Sequence, residues 1–302
     1  MEQKRAVGSV LLGGTCWGII SVFIKPLSAA GLNAIQISAA RLLLASAAYF
    51  AFLALRSPQK LKIRLRDLWM FLCTGCVCVA LCNVLYAYSI VASEASVAVV
   101  LMYTSPVFIL LFSALFFKER ITPRKLIAMF ITVVGCVCVA GVLGGSHAWP
   151  LVVIITGVGS GLTYGLYSIF GRVALKKYAP ETVTAYTFLC GAAALAFFGD
   201  LPGTFRLAVS EPKLLFFFAG LAVVSTVMAF GFYTWGLKRM DPGKAGILAA
   251  IEPLVGAVVG MAFYGEDRGW VKILGIVLIL TSIVLLELPD RKKAPINGAS
   301  EK

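Results

Sequence analysis

The chain has 302 residues, 60% of them hydrophobic and 14% charged, with a mean hydropathy of +0.93. A water-soluble domain cannot bury that much apolar surface, so soluble globular folds, coiled coils and disordered chains are excluded. The net charge of +13 would suggest a nucleic-acid partner in a soluble protein. Here the Lys and Arg residues sit in short stretches between apolar runs, where they set membrane orientation, and no nucleic-acid partner is expected.

In chain order the predicted spans are 6–25, 34–55, 69–89, 95–117, 125–143, 151–171, 183–199, 214–236, 244–264 and 271–287. A bilayer crossing takes about 20 apolar residues, so this is a polytopic all-α membrane protein of ten transmembrane helices. Met1–Arg5 and the run behind it resemble a secretory signal, but the run is long and many follow, so it reads as an uncleaved first span. Loops are short, which makes neighbouring helices antiparallel. Most of the 27 Lys and Arg residues fall on the side of the N-terminus, including Arg56 to Arg66 and Lys118 to Lys125. Excess basic charge marks the cytoplasmic face, so both termini are expected inside. The eight cysteines all lie in apolar runs. Cys73, Cys76, Cys78 and Cys82 have no histidine near them, and they read as small packing residues, not metal ligands. His147, the single histidine, falls in a predicted external loop. No zinc spacing, phosphate loop or Ser-His-Asp set can be assembled, so neither an enzyme nor a cofactor is expected.

Shifting the chain by 147 residues superposes the spans without a gap. Gly14 then meets Gly161, Trp17 meets Tyr164, Gly18 meets Gly165, and Tyr86 meets Tyr233. Pro106 meets Pro253, Glu119 meets Glu266, and Lys125 meets Lys272. Five spans per copy is an odd number, so the second copy enters the membrane from the opposite side. That is an inverted repeat, a build shared by many secondary transporters. The expected units are residues 1–147, residues 148–290, and a cytoplasmic tail at 291–302. Two inverted copies enclosing a site can exchange roles between inward-facing and outward-facing states. A duplicated scaffold that transports nothing is the alternative.

Leu115-Phe116-Phe117-Lys118-Glu119-Arg120-Ile121-Thr122 leads into an apolar fifth helix with Gly135. Ile251-Glu252-Pro253-Leu254 and Phe263-Tyr264-Gly265-Glu266 mark the ninth, and Trp17-Gly18 the first. With the repeat and the span count, these residues make the chain resemble the EamA family of the drug/metabolite transporter superfamily. The resemblance implies a bacterial inner-membrane permease of ten helices in two inverted repeats, commonly an exporter of amino acids or other small metabolites. It also implies a central cavity lined from both repeats. It does not imply the cargo, because related branches carry nucleotide sugars or sugar phosphates. Few basic residues lie at membrane depth, which argues mildly against a phosphorylated cargo and leaves a nucleotide-sugar or phosphate-type exchanger as the alternative within transport.

Two formal charges fall well inside spans, Arg41 and Glu252. Ionisable groups there are costly and face a wet cavity or a partner. Glu252 reads as a group for substrate amine recognition, proton coupling or both, or else as a protonated carboxyl in a structural hydrogen bond. Pro253 follows it and breaks the helix, which would free a carbonyl about one turn earlier. Ser105-Pro106 repeats that break without the charge. Arg41 could pair with a substrate carboxylate, snorkel outward, or pair with Glu94. Trp17, Tyr103, Tyr164 and Tyr167 are too deep for the aromatic belt, and with Ser105 they suit an amphipathic cavity. Tyr86, Tyr233 and Trp235 lie closer to span ends, where the interface reading is stronger. Glu119 and Glu266 read as caps or ion-pair partners of nearby basic residues, or else as gating groups. The expected cargo is a small neutral or zwitterionic metabolite, with amino acids the leading class.

Overall fold

A computed structural model describes residues 2–93, 95–141, 149–266 and 269–288. His147, Glu94 and the 291–302 tail lie outside the described residues. Among the described residues, nine helices are long and apolar enough to cross a membrane: α1 (Glu2–Ala29), α2 (Ala34–Arg56), α3 (Leu65–Ala92), α4 (Val97–Phe117), α5 (Pro123–Ala140), α6 (Leu151–Leu175), α8 (Pro212–Leu237), α9 (Pro242–Phe263) and α10 (Trp270–Glu287). The tenth, α7 (Pro180–Ala196), bends by 101° into a short helix, Leu201–Ser210. No strand occurs among the described residues. Helices suit this sequence because lipid offers the backbone no hydrogen-bond partners, so each span must satisfy its own.

Local signals fix the helix ends. Asn33 caps α2 by accepting from the Ile35 and Gln36 amides at 3.0 and 2.9 Å, while Gln36 accepts from the Asn33 amide at 3.0 Å. This reciprocal box satisfies donors that a helix start leaves orphaned. Thr122 caps α5 ahead of Pro123, and Gly141 ends it at φ 71°, a left-handed conformation that glycine adopts without strain.

The seventh span departs from expectation. Residues 197–199 do not continue α7; Asp200 accepts from the Gly203 amide at 3.0 Å and starts a new helix with Pro202 in its first turn. Ala208 from that helix joins Leu27, Leu32, Ile37 and Phe218 in a small apolar core. The first span also departs: α1 breaks after Gly18 and resumes at Ser21.

Packing runs between the repeats. The helix α1 lies on α8 and α9, and α6 lies on α3 and α4, while α2 packs on α7 and α5 on α10. Each contact has its counterpart after the 147-residue shift, so the two copies are related by inversion and swapped against each other. Glycines allow the close approaches. A Cβ on Gly18 would come within 2.7 Å of the Glu252 carbonyl, and one on Gly165 within 3.1 Å of the Ser105 carbonyl.

Glu2 pairs with Arg239 at 3.4 Å, and Lys244 pairs with Glu287 at 2.7 Å. Both ends of the described chain therefore sit at one end of the bundle, called here the terminus end. The opposite end holds the turns after α1, α3, α7 and α9. Large apolar side chains such as Leu55, Phe116, Phe130 and Phe216 face outward around the bundle, as a lipid-facing surface requires.

Candidate functional site

A cavity of about 450 Å³ lies between the repeats, within the size range of small-molecule sites. The helices α1, α2, α3 and α4 line it from the first repeat, and α6, α8 and α9 from the second. Ser21, Ile24, Lys25, Ala34 and Ile90 place its mouth at the end opposite the termini. The terminus end is closed. Asp67 accepts from Lys177 at 2.6 Å and from the Tyr178 hydroxyl at 2.7 Å, Lys60 pairs with Glu181 at 3.0 Å, and Tyr186 donates to the Leu61 carbonyl at 2.7 Å. Deeper in, Tyr167 and Thr234 are 2.9 Å apart, and Ser168 and Tyr233 2.7 Å.

Two charged side chains line the cavity, one from each repeat. Arg41 on α2 is 8% exposed and donates to the Asn83 side-chain carbonyl at 3.4 Å. Ser38 donates to the same oxygen at 2.9 Å, and the Asn83 amide donates to the Val79 carbonyl at 2.7 Å, which holds Asn83 in place. The Arg41 Nε has no hydrogen-bond partner. Glu252 on α9 accepts from the Tyr164 hydroxyl at 3.0 Å, with Tyr103 as a second hydroxyl neighbour. Among the described residues, no ion pair involves Arg41 or Glu252.

The third helix of each repeat shapes the walls. Wide π-type turns span Cys73–Leu81 in α3 and Val223–Met228 in α8, ending at positions 147 residues apart. Such turns shift the face a helix presents and gather at functional sites. Asn83 and Tyr86 follow the first one into the cavity, and their counterparts Phe230 and Tyr233 follow the second. Trp17 meets the second repeat directly, its ring 6.2 Å from that of its own counterpart Tyr164 and 5.0 Å from Phe230.

Of the sequence-predicted residues, Trp17, Arg41, Tyr164, Tyr167 and Glu252 line the cavity. Tyr103 lies behind Glu252. Ser105 does not reach the cavity; it is buried at the break in α4, where its carbonyl abuts Gly165. The helix breaks fall at Tyr103–Thr104 and Ala249–Ala250, about one turn before Pro106 and Pro253. The expected free carbonyl beside Glu252 is absent, because the Ala249 oxygen accepts from the Glu252 amide at 3.0 Å and a tight turn closes the gap. Tyr86 and Tyr233 were the less expected members: they line the cavity and not the membrane interface. Trp235 instead lies under Arg239, 3.7 Å from its ring, at the terminus end. Sequence reading missed Ser21, Ser38 and Ser168 as lining residues. Ser21 and Ser168 carry the repeat spacing, which is the signal that could have found them.

Comparison with known proteins matches the EamA-like transporter family over residues 4–141 and 151–288. The chain belongs to the EamA family. Its relatives include an uncharacterized transporter of Archaeoglobus fulgidus, 28% identical over 94% of this chain and 96% of that protein. The uncharacterized inner membrane transporter YicL of Salmonella typhimurium is 26% identical over 97% of this chain and 98% of its own. A probable terminal-alkyne amino-acid exporter of Streptantibioticus cattleyicolor is 25% identical over 99% of both chains. A solved protein structure superposes with a TM-score of 0.79 at 16% identity, covering 94% of this chain and 96% of that one, and shares the fold. This EamA chain is thus a multi-pass membrane transporter with the two-repeat, ten-helix fold.

Proposed function

We propose that this transporter works by alternating access and exports a small amphipathic metabolite, an amino acid, across the bacterial inner membrane with both termini in the cytoplasm. The observation that carries the reading is the pair of opposite charges in one cavity, Arg41 from the first repeat and Glu252 from the second, each hydrogen-bonded but without an ion-pair partner among the described residues. A buried charge without a partner costs several kcal/mol. A zwitterion offsets that cost at both ends, its carboxylate on Arg41 and its ammonium on Glu252 with Tyr164 and Tyr103. Trp17, Phe230 and Tyr233 then supply an aromatic wall for the side chain. Glu252 is also the coupling group in this scheme: a proton or a substrate amine, but not both, occupies the carboxylate. The concentration of Lys and Arg at the terminus end supports its cytoplasmic placement. The name of the Streptantibioticus relative supports the cargo class and the direction.

Purified protein in sealed vesicles tests this. Saturable flux of zwitterionic amino acids that responds to an imposed pH step is the expected result, with E252Q abolishing flux or uncoupling it from the pH step. Flux of nucleotide sugars alone, or an E252Q variant with normal rate and pH response, overturns the assignment.

A further inference from the structure

The 147-residue relation pairs a closed contact at one end of the bundle with an open one at the other. At the closed terminus end, α6 meets α8 through the Ser168–Tyr233 hydrogen bond at 2.7 Å. Four residues on from Ser168, Arg172 donates to the Leu237 and Lys238 carbonyls, both at 2.7 Å. The repeat maps Ser168 onto Ser21, Tyr233 onto Tyr86, Arg172 onto Lys25, and Leu237 and Lys238 onto Ile90 and Val91. Ser21, Lys25, Tyr86 and Ile90 all line the open cavity near its mouth. None of their side chains bonds to its mapped partner: Lys25 instead pairs with Glu266 at 3.7 Å and stands 3.4 Å from the Tyr264 ring. The same five positions are thus latched in one copy and unlatched in the other.

We propose that Ser21 with Tyr86, and Lys25 with the Ile90 and Val91 carbonyls, form the gate that shuts the far end of the cavity when Ser168–Tyr233 and Arg172–Leu237/Lys238 release the terminus end. The inference rests on the alternating-access reading and adds the residues that carry it out. A chain built from two inverted copies can exchange their conformations because the latch contacts of one copy are traded for their duplicates in the other. Closure also needs a donor of matching reach at each end. The long cation at position 25 can span to helix-terminal carbonyls as Arg172 does, and its present partners are exposed and weak. The break in α1 after Gly18 supplies the joint, since Ser21–Ala29 is a separate helical segment that carries both Ser21 and Lys25. The α6 counterpart is unbroken in the latched copy.

The test compares Tyr86→Phe with Tyr233→Phe, each of which removes one hydroxyl and keeps the ring. The reporter is Ile20→Cys. Position 20 lines the cavity now, and its repeat counterpart Tyr167 does too, so it lines the cavity in either state. A membrane-impermeant maleimide is applied to right-side-out and inside-out vesicles, and peptide mass analysis separates position 20 from the eight native cysteines. The ratio of labelling rates from the two faces then reports the balance of states without saturating. The two variants are expected to move that ratio in opposite directions, each by roughly fivefold, the net worth of one hydrogen bond. Ser21→Ala and Ser168→Ala remove the same bonds from the other partner and should reproduce the two signs. Shifts of the same sign, or a ratio that Tyr86→Phe and Ser21→Ala leave unchanged, overturn the proposal. Opposite shifts in a protein that carries no amino acid would uphold the gate and reject the cargo. Normal amino-acid flux with an unmoved ratio would uphold the cargo and reject the gate.

Discussion

Arg41 is held from one side only. Asn83, pinned by Ser38 and Val79, takes one guanidinium nitrogen, and the Nε is left without a partner. That arrangement suits a planar group that meets a carboxylate with two parallel donors. Arg41→Lys keeps the charge and loses the fork, so it should raise the KM for a zwitterion about tenfold and leave the maximal rate within about twofold. An unchanged KM in vesicle flux would show that Arg41 does not touch the cargo. Glu119, outside the spans, shows a different balance. It pairs with Lys125 at 3.4 Å, yet burial, and then the nearby Asp241, raise its pKa above the ordinary 4.5 despite Lys125 and the Gly243 amide. A carboxyl with a raised folded-state pKa binds protons more readily folded than unfolded. Its contribution to stability is therefore full below about pH 4.5 and is lost as pH rises through the folded value. Melting of purified protein across that window should show a fall with rising pH that Glu119→Gln removes; equal slopes in both proteins would refute it.

At the scale of elements, α3 and α7 approach each other backbone to backbone at Gly75. A Cβ on Gly75 would lie 2.5 Å from the Thr187 carbonyl and 2.8 Å from the Gly191 amide, both backbone atoms that cannot swing away. Gly75→Ala should therefore cost about 1–3 kcal/mol and lower the melting temperature. Gly8→Ala, where nothing lies within 4 Å, should hold or raise it. Equal melting of the two variants would contradict the close approach. These elements also show what the sequence made legible. Span number, the inverted repeat and the depth of Arg41 and Glu252 follow from hydropathy, the fixed 147-residue register and the scarcity of buried charge. The bend after α7 was written in Asp200-Leu201-Pro202-Gly203, a capping signal hidden by the apolar residues around it. The π-type turns left no such mark: Cys73–Leu81 and Val223–Met228 read as ordinary apolar helix sequence. For that reason Tyr86 and Tyr233 were placed near span ends by counting, while the rotation introduced upstream turns them into the cavity.

For the whole molecule the two copies are not energetically equal. The Ser168–Tyr233 latch has its duplicate in Ser21 and Tyr86, and the Glu119–Lys125 pair recurs as Glu266–Lys272, but the Asp67–Lys177 and Lys60–Glu181 pairs of the terminus end have none. The repeat maps Asp67 onto Leu214, Lys177 onto Ala30, Tyr178 onto Gly31, Lys60 onto Leu207 and Glu181 onto Ala34. Closing the terminus end therefore gains charged hydrogen bonds that closing the far end cannot match. The state open at the far end, the one described here, should be the resting state. The two pairs differ in worth. Lys60 and Glu181 are 40% and 36% exposed, so their pair contributes about 0–1 kcal/mol. Asp67 is 6% exposed and accepts from both Lys177, itself 54% exposed, and the Tyr178 hydroxyl, so two hydrogen bonds to one carboxylate are at stake there against one at Glu181. Asp67→Asn should shift the balance toward the oppositely open state by about tenfold or more, and Glu181→Gln by no more than about fivefold. The two-face labelling ratio at position 20 reads both variants. If Asp67→Asn lowers the melting temperature and leaves the ratio where it was, the cluster holds the fold together in both states and does not set which end of the cavity is open.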